Sequence, residues 1–181
     1  MRKFYIYLLL VILAVFGISS YFSILAIDKT SQPTFCAKCH TMKPMAKSFT
    51  ISMHGGNNNL GFKAAHCTDC HLPHNTTFNF LLAKGISGTK DFLSELGLMG
   101  KANFKKSYFE YEKYVYDSGC LKCHGDMKNP EKAYGMDPDI RQIHEYYWQK
   151  KRAGVKISCA YCHNDYTTPN FAHTGLLQAL K

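Results

Sequence analysis

Every cysteine in this chain belongs to a Cys-x-x-Cys-His motif, and the motif occurs four times. Its thiols are Cys36, Cys39, Cys67, Cys70, Cys120, Cys123, Cys159 and Cys162. In this motif the two thiols bond the vinyl groups of a porphyrin, and the adjacent imidazole reaches its iron. The sequence therefore predicts four covalent c-type haems on 181 residues. So little protein per haem indicates electron transfer rather than conventional catalysis.

Two other uses of paired cysteines fit less well. Two zinc ribbons would take four thiolates per metal, but zinc sites do not require a histidine directly after each second cysteine. Disulfides would need no histidine either, and they would not be uniformly paired at this spacing. Haem attachment is therefore the favoured interpretation.

The N-terminal 27 residues have the composition of a membrane anchor. Arg2 and Lys3 precede an uncharged run from Phe4 to Ile27, which is long enough to cross a hydrocarbon core of about 30 Å. A cleaved signal peptide is the alternative, but its apolar part is usually about 7–15 residues long. The two basic residues predict a cytoplasmic N-terminus, so that the remaining chain lies in the periplasm, where c-type haem is attached.

The chain is thus expected to divide into an anchor (1–27), a polar linker (28–35) and one haem domain (36–181). We expect a mainly α fold with short helices, extensive loops and little sheet, in which the haems supply much of the apolar interior. The formal charge of +9 would be nearly balanced by eight haem propionates. Nucleic-acid binding is therefore not expected, although lysines near the anchor remain able to contact lipid head groups.

Histidines outside the motifs are too few to give every haem a second axial ligand. Besides the motif histidines, which include His71, His124 and His163, the chain has five more: His54, His66, His74, His144 and His173. His66 and His74 flank the second motif so closely that a hydrogen bond or a contact with a haem propionate suits them better than iron ligation. Three histidines then remain for four haems. Met42 follows the first motif, and its thioether is a candidate ligand for the first haem.

Residues 78–98 are apolar but interrupted by charges, which excludes an ordinary spanning helix. An interfacial helix is the alternative. Lys84, Gly88 and Asp91 would share one face of that helix. A basic and an acidic group beside a haem at the lipid boundary suit quinol oxidation, because each quinol releases two protons as well as two electrons. A solvated pair of charges is the competing interpretation.

These features resemble the NapC/NirT family of membrane-anchored tetrahaem quinol dehydrogenases, over nearly the whole chain. The segments Cys36–Pro44 and Cys67–Asn75, followed by 84–91, are similar to the small subunits of cytochrome c nitrite reductase. The resemblance implies that Met42 ligates the first haem in place of the motif histidine. It also implies that Asp91 covers the open face of that haem and that Lys84 lines a menaquinol pocket.

The same resemblance implies distal ligands for the other haems. His54 would serve the fourth haem and His173 the third. His144 matches a histidine of the nitrate-reductase-type members and would complete the second haem, which in some nitrite reductase subunits takes a lysine from the partner instead.

The predicted function is quinol oxidation, with menaquinol as the first choice of donor, followed by electron transfer to a periplasmic multihaem reductase. A nitrite reductase is the favoured partner. The alternatives are electron donation to a nitrate reductase or another reductase, and a passive haem shuttle without a quinol site. Catalysis at an open haem of this chain is a weaker possibility.

Overall fold

The computed structural model describes residues 2–58, 65–100, 102–165, 167–168 and 170–179. Within these ranges the regular structure is entirely helical, as the sequence predicted. The α-helices are α1 (Arg2–Lys29), α2 (Pro33–Cys36), α3 (Lys43–Thr50), α4 (Cys67–His71), α5 (Thr77–Glu95), α6 (Phe104–Phe109), α7 (Asp117–Cys123), α8 (Pro138–Arg152), α9 (Cys159–Cys162) and α10 (Leu176–Ala179). Short 3₁₀ turns cover His40–Met42, Tyr111–Lys113, Gly125–Lys128 and Pro130–Lys132.

Helix α1 projects its apolar side chains outward along its whole length. It has 28 residues and is long and apolar enough to cross a membrane, with a mean hydropathy of 2.5 in its most apolar window. The helix ends at Lys29, two residues beyond the predicted anchor. Most of its apolar side chains are exposed in the part of the chain that the structure describes, which suits a lipid environment.

The rest of the chain has a sparse apolar core. Its buried hydrophobic residues are mostly small: Ala46, Phe49, Ala65, Leu72, Ala133, Ala160 and Leu176. This is little apolar burial to hold so many short helices together, because burial of apolar area is the main favourable term in folding. Large apolar groups held between the helices, such as porphyrins, would supply the missing interior.

The C-terminal segment folds back onto the region that follows the first motif. The backbone N–H of Thr174 donates to the carbonyl of Ser48 at 3.1 Å, and that of Met53 donates to the carbonyl of Asn170 at 2.8 Å. Helix α10 packs on α3 in the same region. Residues near positions 50 and 170 are therefore neighbours, although about 120 positions separate them in the chain.

Helices α4 and α7 approach so closely that only glycine fits at their contact. A Cβ added to Gly119 would lie 1.8 Å from the carbonyl oxygen of Asp69. The two helices carry the second and third motifs, so this contact brings those two motifs together. Helix α7 also contacts α9, which carries the fourth motif.

Candidate functional site

The Cys-x-x-Cys segments of the last three motifs each form about one helical turn. They lie in α4, at the end of α7 and in α9. Positions i and i+3 of a helix share a face, so both thiols of a motif point to the same side. None of the eight cysteines forms a disulfide. Among the described residues, no group of three or more His, Cys, Asp and Glu side chains is arranged to hold a metal ion, as zinc ribbons would require.

The four motifs form a continuous row in the order of the chain. The Cys36 and Cys67 thiols lie close enough for each to shift the pKa of the other, which places the first motif beside the second. Asp69 of the second motif accepts a hydrogen bond from Lys122 Nζ of the third at 2.9 Å. Cys120 of the third motif and Cys159 of the fourth affect each other's pKa in the same way, and their helices α7 and α9 are in contact. Groups attached at successive motifs would therefore be near neighbours.

Three of the four motif histidines lie opposite a second histidine ring. The ring centres of His71 and His173 are 6.3 Å apart, with an angle of 42° between the ring planes. The ring centres of His54 and His124 are 6.3 Å apart with a plane angle of 74°, and those of His144 and His163 are 6.1 Å apart with a plane angle of 16°.

These separations are those expected of two imidazoles on opposite sides of one iron. With iron–nitrogen bonds of about 2.0 Å, the ring centres of such a pair lie about 6 Å apart. Direct hydrogen bonding or stacking between two imidazoles would bring them closer. The donor set therefore fits three haem irons, each held by two histidines.

The hydrogen bonds of the Nδ1 atoms support this interpretation. The Nδ1 of His71 contacts the Tyr114 carbonyl oxygen at 2.8 Å, and that of His144 contacts the Ile140 carbonyl oxygen at 2.7 Å. The Nδ1 of His54 contacts the Phe171 carbonyl oxygen at 2.9 Å. An Nδ1–H donated to a carbonyl leaves Nε2 unprotonated and free to bind a metal. Burial, with the nearby charge of His71, lowers the pKa of His173 to about 4, so this ring is neutral at pH 7.

The pairing differs from the one that the family resemblance implied. His54 was expected at the fourth haem, but it lies against His124 of the third motif. His173 was expected at the third haem but lies against His71 of the second, and His144 lies against His163 of the fourth rather than against the second motif. The reason is the packing of residues near 170 on α3 and the turn after it, which carries His173 over the second motif and His54 beside Phe171.

His66 and His74 are both engaged next to the second motif. The Nδ1 of His66 lies 3.4 Å from the carboxylate of Asp69, and the Nε2 of His74 lies 3.0 Å from the carbonyl oxygen of Thr68. Hydrogen bonds from the His66 N–H and from Lys122 outweigh the opposing effect of burial and lower the pKa of Asp69. The hydrogen-bonding role predicted for the two histidines agrees with these contacts.

The first motif is built differently from the other three. In the part of the chain that the structure describes, no second histidine ring faces His40. The motif instead continues into the 3₁₀ turn His40–Met42, where Met42 is half-buried and His40 is exposed. Glu95, the last residue of α5, accepts hydrogen bonds from the His40 N–H at 3.1 Å and from the Thr41 hydroxyl at 2.9 Å.

Helix α5 places Lys84 and Asp91 beside this first motif. The Lys84 ammonium donates to the Ser31 hydroxyl at 3.0 Å, and both Lys84 and Asp91 act electrostatically on the Cys36 thiol. Partial desolvation lowers the pKa of Lys84 and raises that of Asp91 above its ordinary value of 3.8. A carboxylate with a raised pKa is a better proton acceptor near neutral pH than an ordinary one.

The flank of α5 next to this polar face is apolar and exposed. Its exposed side chains next to that face are Leu81 and Phe92, and the exposed Phe78, Leu82 and Ile86 continue the apolar surface round to the opposite side of the helix. The helix is 19 residues long, begins with the Thr76 side chain capping the Asn79 N–H, and has open space beside Gly85 and Gly88. An amphipathic helix with this distribution suits the surface of a membrane.

Several residues that shape the site carry no sequence signal of their own. Asp117, at the start of α7, accepts hydrogen bonds from the Tyr147 hydroxyl at 2.7 Å and from the Cys159 N–H at 2.8 Å, and it also pairs with Lys151. It thereby fastens the third motif to the fourth. Ser48 holds His173 in a similar way. Among the residues that support the site, only Glu95 could have been predicted from the sequence, because it lies 11 positions after Lys84 on the same helix face.

The Tyr- and Lys-rich stretch from 105 to 117 contributes backbone support to the second motif. Besides the Tyr114 carbonyl that holds His71, the Tyr116 N–H donates to the carbonyl of Cys70 at 2.9 Å. Phe109 and the Tyr114 ring are exposed. The main chain of this segment therefore has a structural role, although these two aromatic side chains are exposed.

Comparison with known proteins identifies relatives for most of the chain. A protein-family model described as the NapC/NirT cytochrome c family, N-terminal region, matches residues 1–165. Cytochrome c nitrite reductase subunit NrfH of Nitratidesulfovibrio vulgaris is 32% identical over 105 residues, which are 58% of this chain and 58% of that protein. Cytochrome c-type protein TorC of Escherichia coli K12 is 24% identical over 138 residues, which are 76% of this chain and 27% of TorC.

A third relative, cytochrome c-type protein TorY of Escherichia coli O157:H7, is 34% identical over 70 residues, or 39% of this chain and 18% of that protein. The chain thus spans less than two thirds of the length of each of these relatives. No solved structure matches it significantly.

Proposed function

The chain belongs to the NapC/NirT cytochrome c family, and from this we propose that it is a membrane-anchored tetrahaem quinol dehydrogenase. Covalent haem c, electron transport and a membrane-spanning helix follow from the family and from α1. The haem number, the quinol donor, the orientation and the partner are our proposals. In this proposal residues 1–27 anchor the chain, 28–35 link, and 36–181 form the haem domain in the periplasm.

Four haems are supported by the completeness of the ligand sets. All eight cysteines belong to the motifs, and three histidine pairs stand about as far apart as the two ligands of one iron. Met42 would hold the first haem. The bound haems would supply one-electron carriers. The three histidine pairs would hold the haems of the second, third and fourth motifs.

The quinol site is supported by the arrangement of Lys84 and Asp91 on α5. Both act on Cys36 of the first motif, and both stand next to the exposed apolar flank from which a lipid-soluble quinol would arrive. This is the observation that carries the proposal. Isolated charges beside lipid are costly, and they are therefore usually functional.

The chemistry of these residues follows from what quinol oxidation requires. A quinol becomes a quinone by losing two electrons and two protons. The Lys84 ammonium would donate a hydrogen bond to a quinol oxygen and orient the ring. The Asp91 carboxylate would accept the proton that leaves a hydroxyl group, and the raised pKa of Asp91 brings its basicity closer to that task.

The electron acceptor is proposed to be a periplasmic multihaem reductase. A nitrite reductase is favoured because the relative NrfH is named as a subunit of one. A nitrate reductase or another terminal reductase is the second candidate. His144 faces His163, and the second and third motifs also have a histidine opposite. In this arrangement the three bis-histidine irons would not need a lysine from the partner.

The decisive test uses the full-length protein in proteoliposomes with a menaquinol analogue as donor. Lys84→Leu should retain four haems by intact mass and reduce fully with dithionite, but it should lose quinol-driven haem reduction. Lys90→Leu is the matched control, because Lys90 is exposed on the same helix and lies about 120° around it from Lys84. Normal quinol oxidation by Lys84→Leu would overturn the site.

The same preparation separates the other functions. A passive shuttle would show no quinol-driven reduction in the wild type without a further dehydrogenase. An intact mass that lacks four haems, or that begins after the apolar run, would contradict the cofactor and anchor proposals. Identification of the reductase that co-purifies in mild detergent would decide between the two candidate partners.

A further inference from the structure

Glu95 connects the helix of the proposed quinol site to the ligand-bearing turn of the first motif. One carboxylate oxygen accepts the His40 N–H at 3.1 Å, and the other accepts the Thr41 hydroxyl at 2.9 Å. Hydrogen bonds to an ionised carboxylate are stronger than those between neutral groups. The contact joins residues that are more than 50 positions apart in the chain, so it is tertiary rather than local.

The turn held by Glu95 contains both candidate axial ligands of the first haem. In the other three motifs the histidine directly after the second cysteine faces another imidazole ring. In the first motif the chain turns through a 3₁₀ segment at this point, and His40 is exposed while Met42 is half-buried. The conformation of three residues therefore decides which side chain can face the iron.

Helix α5 is fastened at two points on one face. Lys84 bonds to Ser31 near the end of α1, and Glu95, 11 residues later, bonds to the turn. Eleven residues make about three helical turns and about 16 Å, so the two contacts lie on one line along the helix, with Asp91 between them. The proposed proton acceptor is thus held at a set distance from the first motif by the contacts on either side of it.

We propose that Glu95 is a positioning residue: it holds the His40–Met42 turn so that Met42 faces the first haem, and it ties that haem to the helix that binds quinol. The expected effect on quinol oxidation rests on the proposed function, because the position of the turn sets the distance from quinol to haem. Its structural part, the choice between His40 and Met42, concerns the first haem alone and is measurable without quinol.

The test compares Glu95→Ala and Thr41→Val in the full-length holoprotein. Thr41→Val removes one of the two hydrogen bonds and leaves the carboxylate in place. Thr89→Ala is the matched control, because Thr89 is exposed on the same helix and its hydroxyl donates to the Gly85 carbonyl of that helix. Each variant is first checked for four haems by intact mass and then examined by electron paramagnetic resonance and redox titration.

In Glu95→Ala we expect the signal and the potential of one haem, the first, to change, while the three low-spin bis-histidine signals stay as in the wild type. If His40 took the place of Met42 as the ligand, this haem would have one imidazole and no second one, and its potential should fall, because methionine ligation raises the potential relative to histidine. Quinol-driven reduction should slow by about tenfold or more, since small displacements of reacting groups are costly. Thr41→Val should change the same signal by a smaller amount.

An unchanged first-haem signal in a Glu95→Ala protein with four haems would overturn the inference. If Glu95→Ala fails to assemble, Thr41→Val decides, and a wild-type signal in that variant would count against the proposal. A spectral change in Glu95→Ala together with normal quinol oxidation by Lys84→Leu would retain the positioning role and refute the quinol site. The two proposals can therefore fail independently.

Discussion

The hydroxyl oxygen of Ser48 lies 2.9 Å from the Nδ1 of His173. The same hydroxyl donates its one proton to the carbonyl of Met45 at 2.9 Å, so it must accept the proton that Nδ1 carries. The Nε2 of His173 is then unprotonated and available as a ligand opposite His71. A serine on α3 thus sets the tautomer of a histidine 125 positions later in the chain.

Ser48→Ala should change one haem and leave the others as they are. Ser48 is 3% exposed, so the substitution removes a buried hydrogen bond of His173, at a cost of about 0.5–1.5 kcal/mol. Loss of this hydrogen bond makes the imidazole less basic, so the potential of the second haem should rise. Redox titration followed by electron paramagnetic resonance measures this, with Thr50→Ala as the control, because Thr50 makes a similar but exposed bond to Lys47.

The three histidine pairs should be distinguishable by their magnetic signals. Near-parallel imidazole planes give a rhombic low-spin ferric haem, whereas near-perpendicular planes give a strongly axial one. The plane angle is 16° for His144 and His163, and 74° for His54 and His124. We expect His144→Ala to remove the rhombic signal and His54→Ala to remove the axial one. The reverse assignment, or a loss of two signals from one substitution, would contradict the pairing.

Quinol oxidation should depend on pH through Asp91. Desolvation raises the pKa of this carboxyl above its ordinary value of 3.8, and a proton acceptor works only when it is deprotonated. The rate should therefore rise with pH through the raised pKa and level off above it. Initial rates in proteoliposomes should show this rise in the wild type and not in Asp91→Asn. Asp126→Asn, at an exposed position far along the chain, should keep the wild-type profile.

Gly119→Ala should loosen the contact between the second and third motifs. The added Cβ would lie 1.8 Å from the Asp69 carbonyl oxygen, so α4 and α7 would have to separate. Overpacking of this kind costs about 1–3 kcal/mol, and thermal unfolding of the holoprotein should show the loss. Gly125→Ala has open space around its Cβ and should unfold close to the wild type. Equal unfolding temperatures for the two variants would argue against the close approach.

Asp117 should contribute stability that disappears in acid. Burial alone would raise its pKa, but hydrogen bonds from Lys151, Tyr147 and the Cys159 N–H outweigh burial and hold the pKa below 3.8. Since the folded pKa is depressed, the contribution is fully present above the ordinary pKa and is lost as pH falls through the depressed one. The wild type should therefore exceed Asp117→Asn in unfolding temperature at neutral pH, and the difference should shrink in strong acid.

The same measurement on Asp126→Asn serves as the control for Asp117, because Asp126 is exposed. A constant difference between the wild type and Asp117→Asn at every pH would show that the effect is one of packing rather than ionisation. Tyr147→Phe removes one of the three hydrogen bonds to Asp117, so the pH at which the Asp117 contribution is lost should rise. The rise should be smaller than that expected if all three hydrogen bonds were removed.

Local features of this chain could be predicted from sequence because short-range geometry decides them. Four motif spacings indicate haem attachment, and an uncharged run indicates a membrane helix. The separation of seven positions from Lys84 to Asp91 places both on one side of a helix. The structure agrees with the helical fold and places those two residues beside Cys36. Their roles in the chemistry stay predictions.

Sequence alone determined the family, the haem-attachment sites and the shortage of distal histidines, because each depends on residue identity and on spacings of a few positions. Only the tertiary structure decided which histidine faces which motif, and it changed all three expected pairs. The supporting roles of Ser48 and Glu95 also appeared only there. The physical reason is distance along the chain: these contacts join residues from 19 positions apart, for His144 and His163, to 125 positions apart, for Ser48 and His173. No local pattern encodes how loops of such lengths close.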